Sequence, residues 1–207
     1  MSKIIIFPGW GYPADFYNFL RDFYNEVEIM SGYEVLEEKK FSDTVLAWSM
    51  GAINFLINSK NISAKNIILI SPALKFTSCV KSSYIKAMIK KIKTDKRELL
   101  ADFYKINFYK SENYKNYISG YLDSAVSISD IELENGLQFL LNTSVENIEL
   151  NSEIQILCGE NDNIIPFYKS KEVAEKLNCK CTVLKECGHN LIYESRETVI
   201  ELLRSVK

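Results

Sequence analysis

Short apolar runs alternate with amphipathic segments towards both ends of the chain. The apolar runs, which we predict to be strands, are residues 3–7, 27–30, 35–36, 44–48, 66–71, 154–158 and 180–185. The segments with apolar side chains at helical spacing, which we predict to be helices, are residues 13–24, 50–58, 168–177 and 195–206. Strands that alternate with helices predict an α/β fold in which helices flank a mostly parallel central sheet.

A long segment interrupts this alternation. Residues 75–151 have no strand-like alternation and place apolar side chains at helical spacings, for example at Ile85, Met88, Ile89 and Ile92. We predict that residues 75–151 form an inserted helical cap. Residues 1–74 and 152–207 then form the α/β core, and the whole chain is a single domain.

Length, composition and charge exclude several classes of protein. The chain has 207 residues, of which 47% are hydrophobic and 25% charged, as in an ordinary globular domain. Its formal net charge of −2 does not favour nucleic acid as a partner. The longest apolar run, residues 66–73, is too short for a membrane helix, and the N-terminus does not resemble a signal peptide. We therefore expect a cytoplasmic protein that does not bind membranes.

The cysteines favour neither disulfides nor a metal site. There are five, an odd number, and no pair has the CxxC spacing, so we expect reduced thiols. Cys158 and Cys181 lie in predicted strands and are expected to be small core residues. One histidine and scattered cysteines do not make a four-ligand metal set, and no cofactor is expected.

The first candidate for chemistry is a serine between a predicted strand and a predicted helix. Residues 47–51 read Ala-Trp-Ser-Met-Gly, the context of a nucleophile elbow, in which a sharp turn exposes the serine and requires small neighbours. Gly51 meets this requirement, and Ala47 replaces the usual glycine. The alternative is that Ser49 only caps the following helix.

An aspartate and the sole histidine follow later strands. Asp162 comes soon after the strand at 154–158, and His189 lies in the loop after the last predicted strand. Taken alone, Asp162 could be a turn residue and His189 a structural one. Together the three occur in the chain order Ser, Asp, His, each beyond a strand end, as the α/β-hydrolase arrangement requires. We therefore predict a catalytic triad of Ser49, Asp162 and His189.

Such a triad also needs hydrogen-bond donors that stabilise the oxyanion of the tetrahedral intermediate. The backbone N–H of Met50, directly after the nucleophile, is one candidate. The loop after the first strand, residues 8–11 (Pro-Gly-Trp-Gly), should supply the second, and Trp10 is the preferred donor. The alternative for this loop is a plain strand-exit turn.

These two motifs carry a resemblance to a known family. Residues 7–11 (Phe-Pro-Gly-Trp-Gly) and 47–52 (Ala-Trp-Ser-Met-Gly-Ala) resemble the pimeloyl-[acyl-carrier protein] methyl ester esterases of bacterial biotin synthesis. The resemblance covers the predicted core, while the cap matches only in size and helical character. It implies hydrolysis of the methyl ester of pimeloyl-acyl-carrier protein. It also implies triad roles for Ser49, Asp162 and His189, and oxyanion and substrate-contact roles for Trp10 and Met50.

A basic stretch at the start of the predicted cap fits an acidic protein partner. Residues 75–97 contain eight lysines and arginines and one acidic residue, Asp95. Acyl-carrier proteins are acidic, so this stretch could dock one, and the tentative docking residues are Lys86, Lys90, Lys91 and Lys93. The alternative is an ordinary solvated helix face.

Two other functions stay open at this point. A general short-chain carboxylesterase or an acyl thioesterase would use the same triad on another substrate, because a fold does not settle a substrate. A catalytically inactive α/β-hydrolase domain used for binding is disfavoured, since all three triad residues are present.

Overall fold

Six parallel strands form one sheet in the part of the chain that the structure, a computed structural model, describes: residues 2–148, 150 and 152–205. The strands are β1 (Lys3–Phe7), β2 (Glu26–Ile29), β3 (Lys40–Trp48), β4 (Ile62–Ile70), β5 (Glu153–Gly159) and β6 (Lys180–Leu184). Their spatial order is β2-β1-β3-β4-β5-β6, and each neighbouring pair is parallel. The predicted sheet is confirmed.

Helices connect the strands. The α-helices are α1 (Met50–Ile57), α2 (Ser82–Asn107), α3 (Ser111–Val126), α4 (Asp130–Asn142), α5 (Phe167–Leu177), α6 (Leu191–Glu194) and α7 (Arg196–Ser205). Short 3₁₀ helices cover Ala14–Asp22, Ser59–Asn61 and Phe76–Ser78. Helix α1 packs on β1 and β3, and α5 packs on β5 and β6.

The structure corrects several predicted elements. Residues 35–36 form no strand, and the segment predicted as a helix at 13–24 is a 3₁₀ helix. The predicted C-terminal helix at 195–206 is confirmed as α7, although Val206 lies outside the described residues, and the short helix α6 before it was not predicted. Strands β3 and β4 begin about four residues earlier than predicted because their polar first halves still pair with each other.

Burial explains why the strands read as apolar runs. Residues 45–48 of β3 and 67–70 of β4 are all buried, so both faces of these strands are covered. In these two strands the polar residues all lie in the first half, at or before residues 44 and 66. Continuous apolar runs are expected of strands that helices cover on both faces.

Strand register brings the carboxyl ends of the strands to one edge of the sheet. Phe7 is level with Ala47, Trp48 with Ile70, and Gly159 with Leu184. Loops that follow these strands therefore meet at this edge, where ligands bind in open parallel sheets.

The segment between β4 and β5 is helical. Helix α2 packs against both α3 and α4, and its course bends at Asp95, whose φ of −157° and ψ of 64° are not helical. The two ends of the segment meet, because Val145 N–H donates to the Leu74 carbonyl at 2.7 Å. Of the predicted domain boundaries, Met1, Asn151 and Lys207 lie outside the described residues.

The two cysteines predicted for the core differ in burial. Cys158 is fully buried, as expected, but Cys181 is only half-buried, because it lies on the edge strand β6. Their sulfur atoms are 3.6 Å apart across the β5–β6 pair. Within the described ranges, no helix has both the length and the apolar character needed to cross a bilayer.

Candidate active site

Ser49 occupies a strained turn between β3 and α1. Its φ of 55° and ψ of −116° lie in a region that residues other than glycine rarely adopt. Its N–H donates to the Ile70 carbonyl at 2.9 Å, which ties the turn to β4. Strain held by surrounding structure in this way is typical of functional positions, and it presents the Ser49 side chain at the sheet edge.

Gly51 allows the turn to lie close to β1. A Cβ atom added at Gly51 would be 2.1 Å from the Phe7 carbonyl oxygen and 2.6 Å from that of Pro8. No side chain fits there, so glycine is required by the close approach of the two backbones. The small residue demanded by the elbow motif is thus explained by a specific contact.

Asp162 is held by backbone donors in the loop after β5. Its Oδ1 accepts hydrogen bonds from the N–H groups of Ile164 and Ile165, both at 2.9 Å. The side chain is buried, and its second oxygen, Oδ2, is left for a partner. That partner is His189, whose Nδ1 lies 2.7 Å from Oδ2.

His189 connects the aspartate to the serine. Its Nε2 lies 2.8 Å from Ser49 Oγ, and its side chain is 2% exposed. The Trp48 indole lies beside it, with ring centroids 5.6 Å apart and Trp48 Nε1 donating to the His189 carbonyl at 3.2 Å. The structure therefore brings together all three residues of the predicted triad. Such a series of hydroxyl, imidazole and carboxylate can pass a proton from the hydroxyl to the ring.

The two residues predicted to bind an oxyanion flank the serine. Met50 is the first residue of α1, so its N–H has no acceptor within the helix. Trp10 lies in the loop after β1 and lines the same cavity as Ser49. Its indole is fixed by a hydrogen bond from Nε1 to the Leu133 carbonyl at 2.8 Å and by an edge contact with Phe103. The donor role of these backbone groups stays a prediction.

A cavity of about 360 Å³ begins at Ser49 and continues beneath the inserted helices. Its walls are mostly apolar, and Tyr84, Ile106 and Lys81 stand at its solvent-exposed side. The remaining apolar lining residues are Trp10, Phe76, Val80, Met88, Phe103, Leu137, Leu140 and Ile164. A cavity of this kind suits an apolar chain with one polar end at Ser49.

Most of these lining residues were not identified as functional from the sequence. Met88 belongs to the helical apolar pattern of the predicted cap, but that pattern does not distinguish a cavity wall from a packed core. Leu137 and Leu140 lie on α4, about 90 residues after Ser49 in the chain. Only the tertiary packing of the insert brings them to the site.

The four lysines proposed for docking differ in their surroundings. Lys91 pairs with Glu98 and Asp102 at 2.9 and 3.1 Å, and Lys93 pairs with Glu134 at 3.3 Å. Lys86 and Lys90 are exposed on α2 and form no ion pair with the described residues. Of these four lysines, the two whose charge is not already paired therefore lie in the first half of α2.

The described residues contain no group of three or more histidine, cysteine, aspartate or glutamate side chains placed to hold a metal ion. No protein-family model matches the chain, and no curated protein sequence matches it.

Solved structures give a clear match of fold. The esterase from Exiguobacterium antarcticum has a TM-score of 0.81 at 17% identity, covering 99% of this chain and 91% of that one. The enol-lactonase from Burkholderia xenovorans LB400 has a TM-score of 0.78 at 12% identity, with coverages of 99% and 90%. The chain has the α/β-hydrolase fold.

The bromoperoxidase from Bacillus anthracis is similar to the same extent, with a TM-score of 0.75, 16% identity and coverages of 99% and 91%. Proteins named for different chemistries thus share the fold. Identities this low establish the architecture alone, so the function must be argued from the site.

Proposed function

We propose that this protein is a serine hydrolase that cleaves carboxylic esters. The observation that carries the proposal is the unbroken series from Ser49 Oγ through His189 to Asp162, with separations of 2.8 and 2.7 Å, on a strained elbow. Each member is nearly buried and held by its own backbone contacts. A serine that only capped α1 would not need the strained backbone with positive φ that Ser49 has. An aspartate that only stabilised a turn would not need His189 Nδ1 within hydrogen-bond distance.

In the proposed reaction, Ser49 Oγ attacks the ester carbonyl while His189 Nε2 takes the hydroxyl proton. Asp162 orients the imidazole and stabilises its charged form. The resulting oxyanion would accept hydrogen bonds from the N–H groups of Met50 and Trp10. Collapse breaks the bond to the alcohol, which leaves with the proton from His189. Water then attacks the acyl-enzyme by the same route and releases the acid.

The shape of the cavity favours a substrate with an apolar acyl chain. The chain would lie between the start of the insert and α4, with its ester carbonyl at Ser49 and its far end at the mouth beside Tyr84. The apolar walls provide no buried charge to recognise a charged acyl group. A neutral ester of a medium-length acid matches this environment better than a free carboxylate does.

The specific substrate that we propose is the methyl ester of pimeloyl-acyl-carrier protein, cleaved in the cytoplasm during biotin precursor synthesis. The support is the resemblance of the Gly-Trp-Gly and Trp-Ser-Met-Gly motifs together with the arrangement of the cavity. A chain entering from the mouth would place its distal ester at Ser49 and leave its carrier outside. Lys81, Lys86 and Lys90 would then face the acidic carrier.

The proposal is tested with paired substrates. Wild-type protein and Ser49→Ala are assayed on p-nitrophenyl esters of increasing chain length, on the carrier-linked methyl ester and on an acyl thioester. Serine-dependent turnover with the highest kcat/KM on the carrier-linked methyl ester supports the full proposal. A preference for the thioester or for a free short-chain ester would retain the hydrolase and reject the carrier-linked substrate. No serine-dependent turnover on any of them would reject the hydrolase and favour a binding module.

A further inference from the structure

The inserted helices contact the histidine loop as well as the substrate cavity. The loop between β6 and α6, which carries His189, packs directly on the chain that leaves α2. A Cβ added at Gly188 would be 2.6 Å from the Asn107 carbonyl oxygen and 2.8 Å from the Tyr109 nitrogen. The two backbones are therefore in contact at the residue immediately before His189.

The last residue of α2 accepts two hydrogen bonds from this loop. The Asn107 carbonyl accepts from the N–H groups of His189 at 2.8 Å and Asn190 at 3.0 Å. A helix end normally leaves its last carbonyl groups without partners in the helix. Here one such carbonyl holds the backbone of the proposed general base.

The side chain of Asn107 extends the contact to the loop after β1. Its Oδ1 accepts from the Tyr12 hydroxyl at 3.1 Å, and that hydroxyl accepts from Asn190 Nδ2 at 3.1 Å. All three residues are buried. Burial raises the pKa of Tyr12 well above its ordinary value, so its hydroxyl stays protonated and can donate. The network joins the loop after β1, the end of α2 and the loop that carries His189.

Glu194, at the end of α6, bridges the same two segments with its two oxygens. Oε2 accepts from Gly188 N–H at 2.6 Å, within the histidine loop. Oε1 accepts from the insert: from the N–H groups of Tyr109 at 3.0 Å and Lys110 at 3.2 Å, and from Asn113 Nδ2 at 3.2 Å. A carboxylate has enough lone pairs for all four donors, whereas a neutral amide has one acceptor oxygen.

We infer that Glu194 and Asn107 are positioning residues, which fix the His189 imidazole by clamping its loop to the inserted helices. The inference rests on the proposed hydrolase for its kinetic consequence, though the clamp itself is a property of the fold. The insert then has two separate tasks: its first part and α4 form the cavity, and the end of α2 orients the base. Charge-assisted hydrogen bonds to Glu194 give the clamp its strength.

The test compares two isosteric substitutions that each remove one negative charge, one in α6 and one in the loop before it. Glu194→Gln removes one acceptor from the clamp. Glu186→Gln is the control, because Glu186 is exposed and joins the same segments only through an ion pair with Lys110 at 3.2 Å. Since His189 is the sole histidine, its ring N–H signals in a ¹⁵N-histidine-labelled sample are unambiguous. Melting temperature is measured for each variant.

We expect the His189 Nδ1 proton to exchange with solvent faster in the Glu194→Gln variant than in the wild type. The variant should also lose about tenfold in kcat with little change in KM, within the roughly 10²-fold cost of a 1 Å displacement. Glu186→Gln should match the wild type in both. If Glu194→Gln and Glu186→Gln give the same proton exchange and the same kcat, the inference is overturned.

A second variant covers the case in which Glu194→Gln does not fold. Asn113→Ala keeps the carboxylate and removes one of its donors from the insert. It should accelerate proton exchange in the same direction but less, and unchanged exchange would contradict the clamp. Because the ring signal needs no turnover, a wild-type protein without esterase activity would reject the proposed function while the imidazole spectrum still tests the clamp.

Discussion

The sheet edge and the inserted helices hold their functional residues in different ways. At the sheet edge, Ser49 and Asp162 are fixed by backbone groups of β4 and of the loop after β5, at 2.9 Å in each case. In the insert, the cavity walls are apolar side chains of α4, of α2, which bends at Asp95, and of the segment just before α2. Backbone contacts permit little movement, whereas helices packed through side chains can vary with modest changes in sequence.

This difference suggests a division of labour. In the proposed hydrolase, the sheet edge provides the reacting groups, because the turn and loops that carry the hydroxyl, the carboxylate and the imidazole all meet there. In the proposed function, the cavity walls and the exposed face of the insert would determine which acyl chain and which partner can reach Ser49. Substitutions at the sheet edge should therefore change kcat or the stability of the core. Substitutions in the cavity walls of the insert should change substrate preference, and those at the end of α2 should act on His189.

The largest effect is expected from removing the serine or the histidine. Ser49→Ala should lower kcat on the order of 10⁶-fold, and His189→Ala by a similar factor, because members of a triad act as a unit. The double variant should be no slower than either single one. Turnover is measured on one p-nitrophenyl ester, with thermal unfolding as the check on folding. A double variant much slower than both would contradict coupled action.

Asp162→Asn should have the next largest effect. The amide keeps the shape of the side chain but favours the wrong tautomer of His189, and a loss in kcat of about 10⁴ is expected by analogy with serine proteases. Glu160→Gln in the same loop is the matched control and should leave kcat unchanged. A nearly normal rate for Asp162→Asn would transfer the role to another carboxylate.

Two glycine substitutions, one at the sheet edge and one in the insert, compare how the free energy of unfolding responds in the two regions. Gly51→Ala places a Cβ 2.1 Å from the Phe7 carbonyl oxygen, so it should lower the free energy of unfolding by about 3 kcal/mol or more. Gly120→Ala, on the exposed face of α3 with no atom within 4 Å of the new Cβ, should raise it by about 0.5–1 kcal/mol. Urea unfolding measures both. Equal effects would show that the backbones at Gly51 can separate at little cost.

The smallest effect concerns the basic half of α2. Reversing the two unpaired charges, Lys86→Glu with Lys90→Glu, should lower kcat/KM for the carrier-linked ester about tenfold at low salt, through slower association. A neutral small ester should be unaffected. Lys171→Glu with Lys180→Glu changes the net charge equally on another surface and serves as the control. Equal losses in the two double variants would mean that only net charge matters.

Salt provides a second check on the same comparison. Exposed charges are screened over a Debye length of about 8 Å at physiological ionic strength. The difference between the wild type and the α2 double variant should therefore shrink as salt is raised. A difference that persists in high salt would indicate damage to the helix rather than lost steering.

The sequence was sufficient for those parts of the molecule that depend on local pattern. Buried parallel strands read as apolar runs, and Ser49, Asp162 and His189 each lie in the turn or loop that follows a strand. In a parallel sheet the carboxyl ends of the strands lie at one edge, so the turn and loops that carry these three residues meet there. The 3₁₀ helix at Ala14–Asp22 was predicted only as a helix, since the apolar spacings of the two helix types are similar over two turns.

Features that depend on distant packing could not be predicted in this way. The clamp at Glu194 joins residues more than 80 positions apart, and nothing local distinguishes this glutamate from others near the C-terminus. The ion pairs of Lys91 and Lys93 depend on the bend at Asp95 and on how α4 lies against α2. The sequence shows that Lys91 and Lys93 are positively charged, but it does not show that acidic side chains already form ion pairs with them.

The central claim is that Ser49 is a nucleophile activated by His189. Its most direct test is labelling of the native protein with a fluorophosphonate, followed by mass spectrometry of the modified peptide. We predict stoichiometric modification of Ser49, none in Ser49→Ala, and strongly slowed modification in His189→Ala. A wild-type protein that stays unlabelled while an active hydrolase control reacts, or a label on any residue other than Ser49, would contradict the claim.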